Sequence, residues 1–302
     1  MHRRDIAALI TLAALWGSSF LFIRIGAPAL GPFPLAFGRV TLAALVLWGV
    51  ARARQDTPMV TSLLGKLVIL GALNAAIPFS LIARAELHLT ASLTAMLNAT
   101  VPLWAALMGS VWLGERITLR RALGLALGIA GVAVLVGWSP TALSATTWWS
   151  VGAVLLATAS YAGAGVYTKK SLSGVSTATL SLGQQIGAAL CLVLPAASQA
   201  PKVHATADAI GAVVVLAVFC TALAYPLYFR LIRTIGPTRT TTVTYLIPLF
   251  GTLWGVVFLR EPVSSGMFLG LALILVSVGF ANDVRVRMPG LFARASVAMD
   301  RQ

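Results

Sequence analysis

Apolar residues run along almost the whole chain in stretches of about twenty, separated by short polar connections. A helix needs about 20 mainly apolar residues to cross the hydrocarbon core of a bilayer. Ten stretches of suitable length can be marked, and each predicts a membrane-spanning helix. They cover residues 6–25, 33–51, 66–84, 91–113, 120–138, 148–168, 176–197, 208–229, 239–259 and 266–282. The pattern therefore predicts an all-α integral membrane protein.

The composition agrees with a chain that lives in lipid. Hydrophobic residues make up 59% of the 302 residues and charged residues only 10%, whereas a soluble domain has about 25% charged residues. A surface with so few charges could not be solvated by water. Cys191 and Cys220 lie within apolar stretches, which indicates small core residues rather than a disulfide.

The positive charges concentrate at alternate ends of the predicted helices. If the N-terminus is inside, 17 Lys and Arg residues fall at inner helix ends and 4 at outer ends, while Arg39 falls within a helix. Cytoplasmic connections collect Lys and Arg, so both termini are predicted to be cytoplasmic. The net charge of +14 is then a sign of membrane topology, and no nucleic-acid partner is predicted.

One apolar segment occurs twice. Residues 98–116 (NATVPLWAALMGSVWLGER) and 244–262 (TYLIPLFGTLWGVVFLREP) agree at seven of nineteen positions. The match extends in both directions at an offset near 146, which predicts two five-helix units followed by a cytoplasmic tail: 1–140, 147–285 and 286–302. Because five is odd, the second unit must enter the membrane inverted. Inverted repeats with a site between them are typical of transporters.

The repeated segments resemble the bacterial EamA-type carriers of the drug/metabolite transporter superfamily. The resemblance lies in LWGSSFLFIR, VPLWAALMGSVWLGERITLRRALGLALGIAGV, TALAYPLYFRLIRTIGPTRT and TYLIPLFGTLWGVVFLREP, and it spans nearly the whole chain before about residue 284. It implies ten helices, cytoplasmic termini and a place in a bacterial inner membrane. It also implies a central cavity between the halves and export of small organic molecules, such as amino acids.

Arg39 is the clearest candidate for a binding residue. It lies about six residues, or about 9 Å, inside the second predicted helix. Ionisable side chains at such depth are costly and are candidates for function. Arg39 could bind a substrate carboxylate or make a gating contact. Alternatively, its side chain could extend to the outer surface or bond helix-end carbonyl groups.

Polar and aromatic side chains inside the other helices are further candidates. An amide or hydroxyl group in lipid needs a partner, so these side chains should face the protein interior. They could join helices by hydrogen bonds, or line a cavity with aromatic walls that suits amphipathic solutes. With Arg39, the predicted substrate-binding set comprises Trp16, Asn74, Asn98, Trp104, Tyr161, Gln184, Tyr225 and Tyr245.

The repeated segment supplies four candidates for gating or structure. Pro102 and Pro248 each remove a backbone donor and should bend their helices, either permanently or as hinges. Glu115 and Glu261 end the fourth and ninth predicted helices on opposite membrane faces. A carboxylate there opposes the helix dipole, so neighbouring arginines such as Arg260 would compensate. A structural pair or a gate latch is favoured over a substrate or proton ligand.

The distribution of acidic residues bears on the transport mechanism. All eight acidic residues and all three histidines fall in predicted connections or helix ends. Facilitated diffusion or exchange is therefore predicted, and proton coupling through a helix-end carboxylate is the alternative. A phosphorylated-sugar or nucleotide-sugar exchanger and a proton-coupled drug exporter also remain open. The sequence contains no GxSxG or HExxH motif, so no enzyme activity, metal or cofactor is predicted.

Glycine spacing predicts one specific helix pairing. GLALG (124–128) and GMFLG (266–270) are patterns of small residues that let helix backbones approach closely. They predict packing of the fifth helix on the tenth, within one chain or across a homodimer.

Overall fold

The computed structural model describes residues 2–55, 59–112, 118–236, 240 and 242–281. The apolar helices in these ranges are α1 (Arg3–Leu30), α2 (Pro32–Ala53), α3 (Thr61–Ala85), α4 (Ala91–Trp112), α5 (Leu119–Gly137), α6 (Ala145–Ser171), α7 (Thr177–Lys202), α8 (Ala207–Ile235), α9 (Val243–Leu259) and α10 (Ser265–Ala281). The first eight are long and apolar enough to span a membrane, and the last two are shorter. All regular elements described are helical, which confirms the predicted fold class. Glu115 and the predicted tail lie outside the described residues.

Side-chain hydroxyl groups begin five of these helices. The first N–H groups of a helix have no partner within it and need an outside acceptor. For α4 to α8 the acceptor is the hydroxyl oxygen of the preceding residue, which is Thr90, Thr118, Ser144, Ser176 and Thr206 in turn. A single residue, Gly31, separates α1 from α2. Its φ of 82° lies in the left-handed region that favours glycine.

Two helices are interrupted by π-helical turns at matching places. The π-turns are Ala72–Ala76 in α3 and Val218–Leu223 in α8. Their first residues are 146 apart, which is the offset of the sequence repeat. Such single π-turns inside α-helices are frequent at functional sites. The matching positions show that the repeat extends to the local backbone.

The two matched prolines lie in different local structures. Helix α4 is broken between Asn98 and Val101, just before Pro102. Pro102 has no N–H to offer the carbonyl of Asn98, and the intervening backbone is closed by shorter three-residue bonds such as Thr100 N to Leu97 O, at 3.1 Å. Helix α9 continues without a break through Pro248. The bend that the sequence predicts for both helices is therefore not the same in each.

Helix α5 packs against α10 within one chain, as the glycine spacing predicts. A Cβ atom added at Gly124 would lie 2.8 Å from the backbone nitrogen of Ala281, and one added at Gly131 would lie 2.9 Å from that of Ile274. The two backbones touch because these glycines have no side chain. The pairing therefore needs no second copy of the chain.

A second backbone contact joins α3 to α7. A Cβ atom at Gly71 would overlap backbone atoms of Gln184 and Ala188, and one at Gly187 would overlap the carbonyl oxygen of Leu67 and lie 2.7 Å from the Cα atom of Val68. This crossing fixes the distance between the two helices. It therefore holds the polar side chains of the next turns within hydrogen-bonding reach.

We expect Gly187→Ala to destabilise the protein by about 1–3 kcal/mol, because the added methyl group must push α3 away from α7. Thermal unfolding of the purified protein in detergent measures this effect. Gly65→Ala is the matched control, because Gly65 lies on α3 with nothing within 4 Å of the added Cβ atom. Equal unfolding temperatures for the two variants would contradict the close crossing.

Candidate functional site

A cavity of about 440 Å³ lies between the two halves of the bundle. Helices α1 to α4 and α6 to α9 supply its described wall, so each half contributes four helices. The volume falls within the range of sites that bind small molecules, about 300–1,000 Å³. The wall is mainly apolar and aromatic, with a few polar groups.

The cavity extends toward the end of the bundle where the chain begins, which we call the N-terminal end. Lys66 near the start of α3 bonds with Ser171 at the end of α6, so both belong to this end. The wall includes Thr168, close to the end of α6, and Val243, the first residue of α9. At the opposite end, where α1, α3 and α9 finish, the described wall stops at Ile23 and Ile82. Both are buried. We call this opposite end the far end.

Arg39 is the cation on the described wall. The side chain is 5% exposed; its Nε donates to Thr221 Oγ1 at 3.0 Å, and its guanidinium carbon lies 3.8 Å from the ring centre of Phe79. The Thr221 hydroxyl in turn donates to the carbonyl of Leu216 at 2.8 Å. The two terminal nitrogens of Arg39 have no acceptor among the described residues. Arg39 therefore lies on the cavity wall and does not reach the bilayer surface.

An amide pair forms another polar part of the wall. Asn74 Nδ2 donates to Gln184 Oε1 at 2.7 Å and to Tyr225 Oη at 3.2 Å. These contacts join α3, α7 and α8. The ring of Trp16 lies 6.2 Å from that of Tyr225 and 5.3 Å from that of Tyr228. Amide and aromatic groups are thus held side by side on the wall.

Asn98 lies where α4 breaks, and it also lines the cavity. Its Oδ1 is buried and has no hydrogen-bond donor among the described residues. Tyr161 lies nearby on the wall, with its ring 6.5 Å from Phe79. Asn98 is therefore a wall residue whose side-chain oxygen is buried beneath the wall surface.

Seven of the nine candidate binding residues lie on the wall: Trp16, Arg39, Asn74, Asn98, Tyr161, Gln184 and Tyr225. Trp104 and Tyr245 do not lie on it. Tyr245 follows the wall residue Thr244, and one residue of helix turns its side chain about 100° away, against Leu103 and Ala106. Trp104 lies beyond Val101, the last α4 residue on the wall, so its position after the proline does not bring it to the cavity.

Sequence reasoning missed Phe79 as a wall residue and left Tyr228 out of the predicted binding set, although both line the cavity. Phe79 is one of many aromatic residues in apolar helices, and only its contact with Arg39 distinguishes it. Tyr228 carried the same polar signal as Tyr225, one turn away. The described residues contain no group of three or more His, Cys, Asp or Glu side chains that could hold a metal ion.

Glu261, which follows α9 at the far end, binds the start of another helix. Its carboxylate accepts hydrogen bonds from the backbone N–H groups of Ala91 and Ser92 at 2.7 and 2.8 Å, and from the Ser92 hydroxyl at 2.6 Å. Ala91 and Ser92 begin α4, where the helix dipole favours a negative charge. The sequence predicted arginine compensation instead. Arg260 is exposed and has a left-handed backbone, so the compensating group is the α4 N-terminus.

Two further charged residues meet beside this contact. Arg24 on α1 donates from Nη1 to the backbone carbonyl of Glu86. The Glu86 side chain is fully buried, and neither carboxyl oxygen has a partner among the described residues. Burial raises the pKa of the Glu86 carboxyl well above its ordinary value, and the charge of Glu261 adds to this, while Arg24 acts in the opposite direction. The far end therefore holds two carboxyl groups in different environments.

We expect Glu261→Gln to weaken closure of the far end and lower stability by about 1.5–3 kcal/mol for each charge-assisted hydrogen bond lost. The amide has one acceptor oxygen, and its NH₂ group would face the N–H donors of α4. Thermal unfolding in detergent measures the loss. Arg260→Gln should leave stability unchanged, because that side chain is exposed. An unfolding temperature for Glu261→Gln equal to that of the unmodified protein would argue against the helix cap.

Comparison with known proteins agrees with this architecture. The model of the EamA-like transporter family matches residues 4–137 and again residues 148–282, one match in each predicted repeat. A solved crystal structure superimposes with a TM-score of 0.66 at 19% identity, covering 93% of this chain and 98% of the other. The fold is therefore shared with a known structure.

Two relatives align along nearly their whole length. The "Probable terminal-alkyne amino-acid exporter" of Streptantibioticus cattleyicolor is 27% identical over 288 residues, which cover 92% of this chain and 93% of the relative. The "Uncharacterized inner membrane transporter YedA" of Escherichia coli is 27% identical over 297 residues, which cover 97% and 95%. Because the family model matches almost the entire chain in two successive copies, the chain belongs to the EamA-like transporter family.

Proposed function

We propose that the protein is a secondary transporter that exports small amphipathic metabolites bearing a carboxylate, such as amino acids, across a bacterial inner membrane. The observation that carries the proposal is Arg39, a buried cation on the cavity wall with terminal nitrogens that have no acceptor in the described part of the chain. These nitrogens are not among the buried atoms and border the cavity, where a solute can reach them. A substrate carboxylate would supply the missing acceptors through two parallel N–H···O bonds.

The remaining wall groups suit the rest of an amino acid. The side-chain amide oxygen of Asn74, on the cavity wall, would receive a hydrogen bond from the substrate ammonium group. The rings of Trp16 and Tyr228, 5.3 Å apart, would contact an apolar side chain. The relative from Streptantibioticus cattleyicolor, an exporter of an amino acid by its name, supports this substrate class.

The two predicted repeats would be the moving units. We propose that residues 1–140 and 147–285 are related by inversion, and that exchange of their arrangements opens one end of the cavity while the other closes. In the arrangement described, the wall extends to the N-terminal end and stops short of the far end. If Lys and Arg mark the cytoplasmic side, this arrangement accepts substrate from the cytoplasm. The direction of net transport rests instead on the relative that is named an exporter, and no catalytic step is required.

A phosphorylated-sugar or nucleotide-sugar exchanger is the second transport reading. A phosphate monoester carries about 1.5–2 negative charges near neutral pH. A single guanidinium on the described wall matches one carboxylate better. The amphipathic carboxylate is therefore the preferred substrate class.

We expect Arg39→Gln to reduce export of amino acids by about tenfold or more, because it removes charge-assisted hydrogen bonds of about 1.5–3 kcal/mol each. Proteoliposomes loaded with radiolabelled amino acids, or with the corresponding amines that lack the carboxylate, measure the efflux. The unmodified protein should favour the acids, and the variant should lose this preference. Arg84→Gln, which changes an exposed arginine, should behave as the unmodified protein. Equal loss of acids and amines would argue against a carboxylate subsite.

One tryptophan, Trp16, lies on the cavity wall, and another, Trp104, lies off it. Trp16→Ala should slow export of aromatic amino acids about two- to tenfold, since one aromatic pair contributes about 0.5–1.5 kcal/mol. Trp104→Ala should leave it unchanged, because Trp104 lies off the wall. Initial efflux rates over a range of internal substrate concentrations test this. A larger effect from Trp104→Ala would place the binding site elsewhere.

A further inference from the structure

Glu86 is a buried acid that the cavity does not use. It follows directly after α3, one helical turn beyond Ile82, where the described wall stops. Its side chain is 0% exposed, and neither Oε1 nor Oε2 has a hydrogen-bond partner among the described residues. An ionised carboxylate without donors is costly in such a place. The neutral acid fits this environment.

The charged neighbours do not supply the missing donors. Arg24, from α1, directs its guanidinium to the backbone carbonyl of Glu86. Glu261, from the connection after α9, is a like charge, and its own oxygens accept from the start of α4. Arg84 and His88, which flank Glu86 in sequence, are exposed. Glu261 and Arg24 are the charged groups that act on the Glu86 carboxyl.

We propose that Glu86 is a proton-binding site of the closed far end: its carboxyl takes up a proton from the far-side solution when this end closes and returns it there when the end opens. The proposal rests on the proposed function, because only a carrier must open this end. No net proton crosses the membrane in this step. The proton is a ligand that binds the closed state in preference to the open one.

The sign of the pH dependence follows from linkage. The closed state binds more protons, so acid on the far side favours closure and alkali favours opening. This pH dependence operates between two pH values. The lower one is the ordinary carboxyl pKa of about 4.3, and the upper one is the pKa of Glu86 in the closed state, which burial raises. Within that window, each pH unit changes the ratio of open to closed protein by up to about tenfold. Export limited by far-end opening should therefore slow when the far side is acidified.

The first experiment detects the proton directly in the full-length protein in liposomes. A protonated carboxyl shows a C=O stretch in the infrared spectrum that a carboxylate lacks. We expect this band at neutral pH in the unmodified protein and in Asp208→Asn, which alters an exposed acid of the far end, but not in Glu86→Gln. In the unmodified protein, ¹³C-labelled glutamate should shift this band, because it comes from one of the three glutamates of the chain. This measurement needs no variant to fold.

The second experiment measures efflux into external buffers of about pH 5.5 and about pH 8, with the internal pH fixed. The substrate is a radiolabelled amino acid without a titrating side chain. The unmodified protein and Asp208→Asn should export about tenfold or more faster into the alkaline buffer. Glu86→Gln, which mimics the protonated acid, should be slow and insensitive to external pH.

The two readouts separate the two proposals. Absence of the glutamate band at neutral pH, or an equal pH dependence in Glu86→Gln, would overturn the proton site. Failure of every protein to export any tested solute would overturn the proposed function. In that case a glutamate band that disappears in Glu86→Gln would still support the proton site, and the absence of any such band would refute it.

Discussion

The centre of this molecule depends on how the guanidinium group of Arg39 is held in the protein interior. Inside a membrane protein an arginine must find acceptors from the protein, because bulk water is absent. Thr221 and the ring of Phe79 meet part of this need. Thr221 is free to accept because the π-turn of α8 directs its own hydroxyl proton to Leu216. The terminal nitrogens border the cavity, so a bound substrate would supply their remaining acceptors.

The repeat places a related contact elsewhere on the cavity wall. Thr221 lies in the π-turn of α8 and contacts α2, while Asn74 lies in the π-turn of α3 and contacts Gln184 on α7. At the 146-residue offset, Arg39 aligns with Gln185, the neighbour of Gln184. Each contact therefore joins the second helix of one half to the third helix of the other. The frame is symmetric but the chemistry is not, since one contact carries a cation and the other a neutral amide. A substrate with one charged and one polar end would fit such a site in a single orientation.

The sequence predicts most of the fold because bilayer thickness sets the length of each helix and lipid excludes polar groups from its surface. The same constraint sends seven candidate side chains to the cavity wall; their role in binding is our proposal. The sequence could not exclude Trp104 or Tyr245 from the predicted binding set, because the rotation of each helix about its axis decides which side chains face the cavity. The partner of Glu261 left no signal either, since backbone N–H groups 170 residues away in sequence provide it.

The far end shows why two carboxyl groups close together take different forms. The start of α4 offers three donors, and Glu261 takes all of them. Glu86, left without donors, is stable there only as a neutral acid. Opening this end would hydrate both groups, replacing helix donors with water at Glu261 and creating a charge at Glu86. Arg24 directly follows the wall residue Ile23, and Glu86 lies one turn after Ile82. The contact between Arg24 and the backbone carbonyl of Glu86 therefore lies directly beyond the end of the cavity wall.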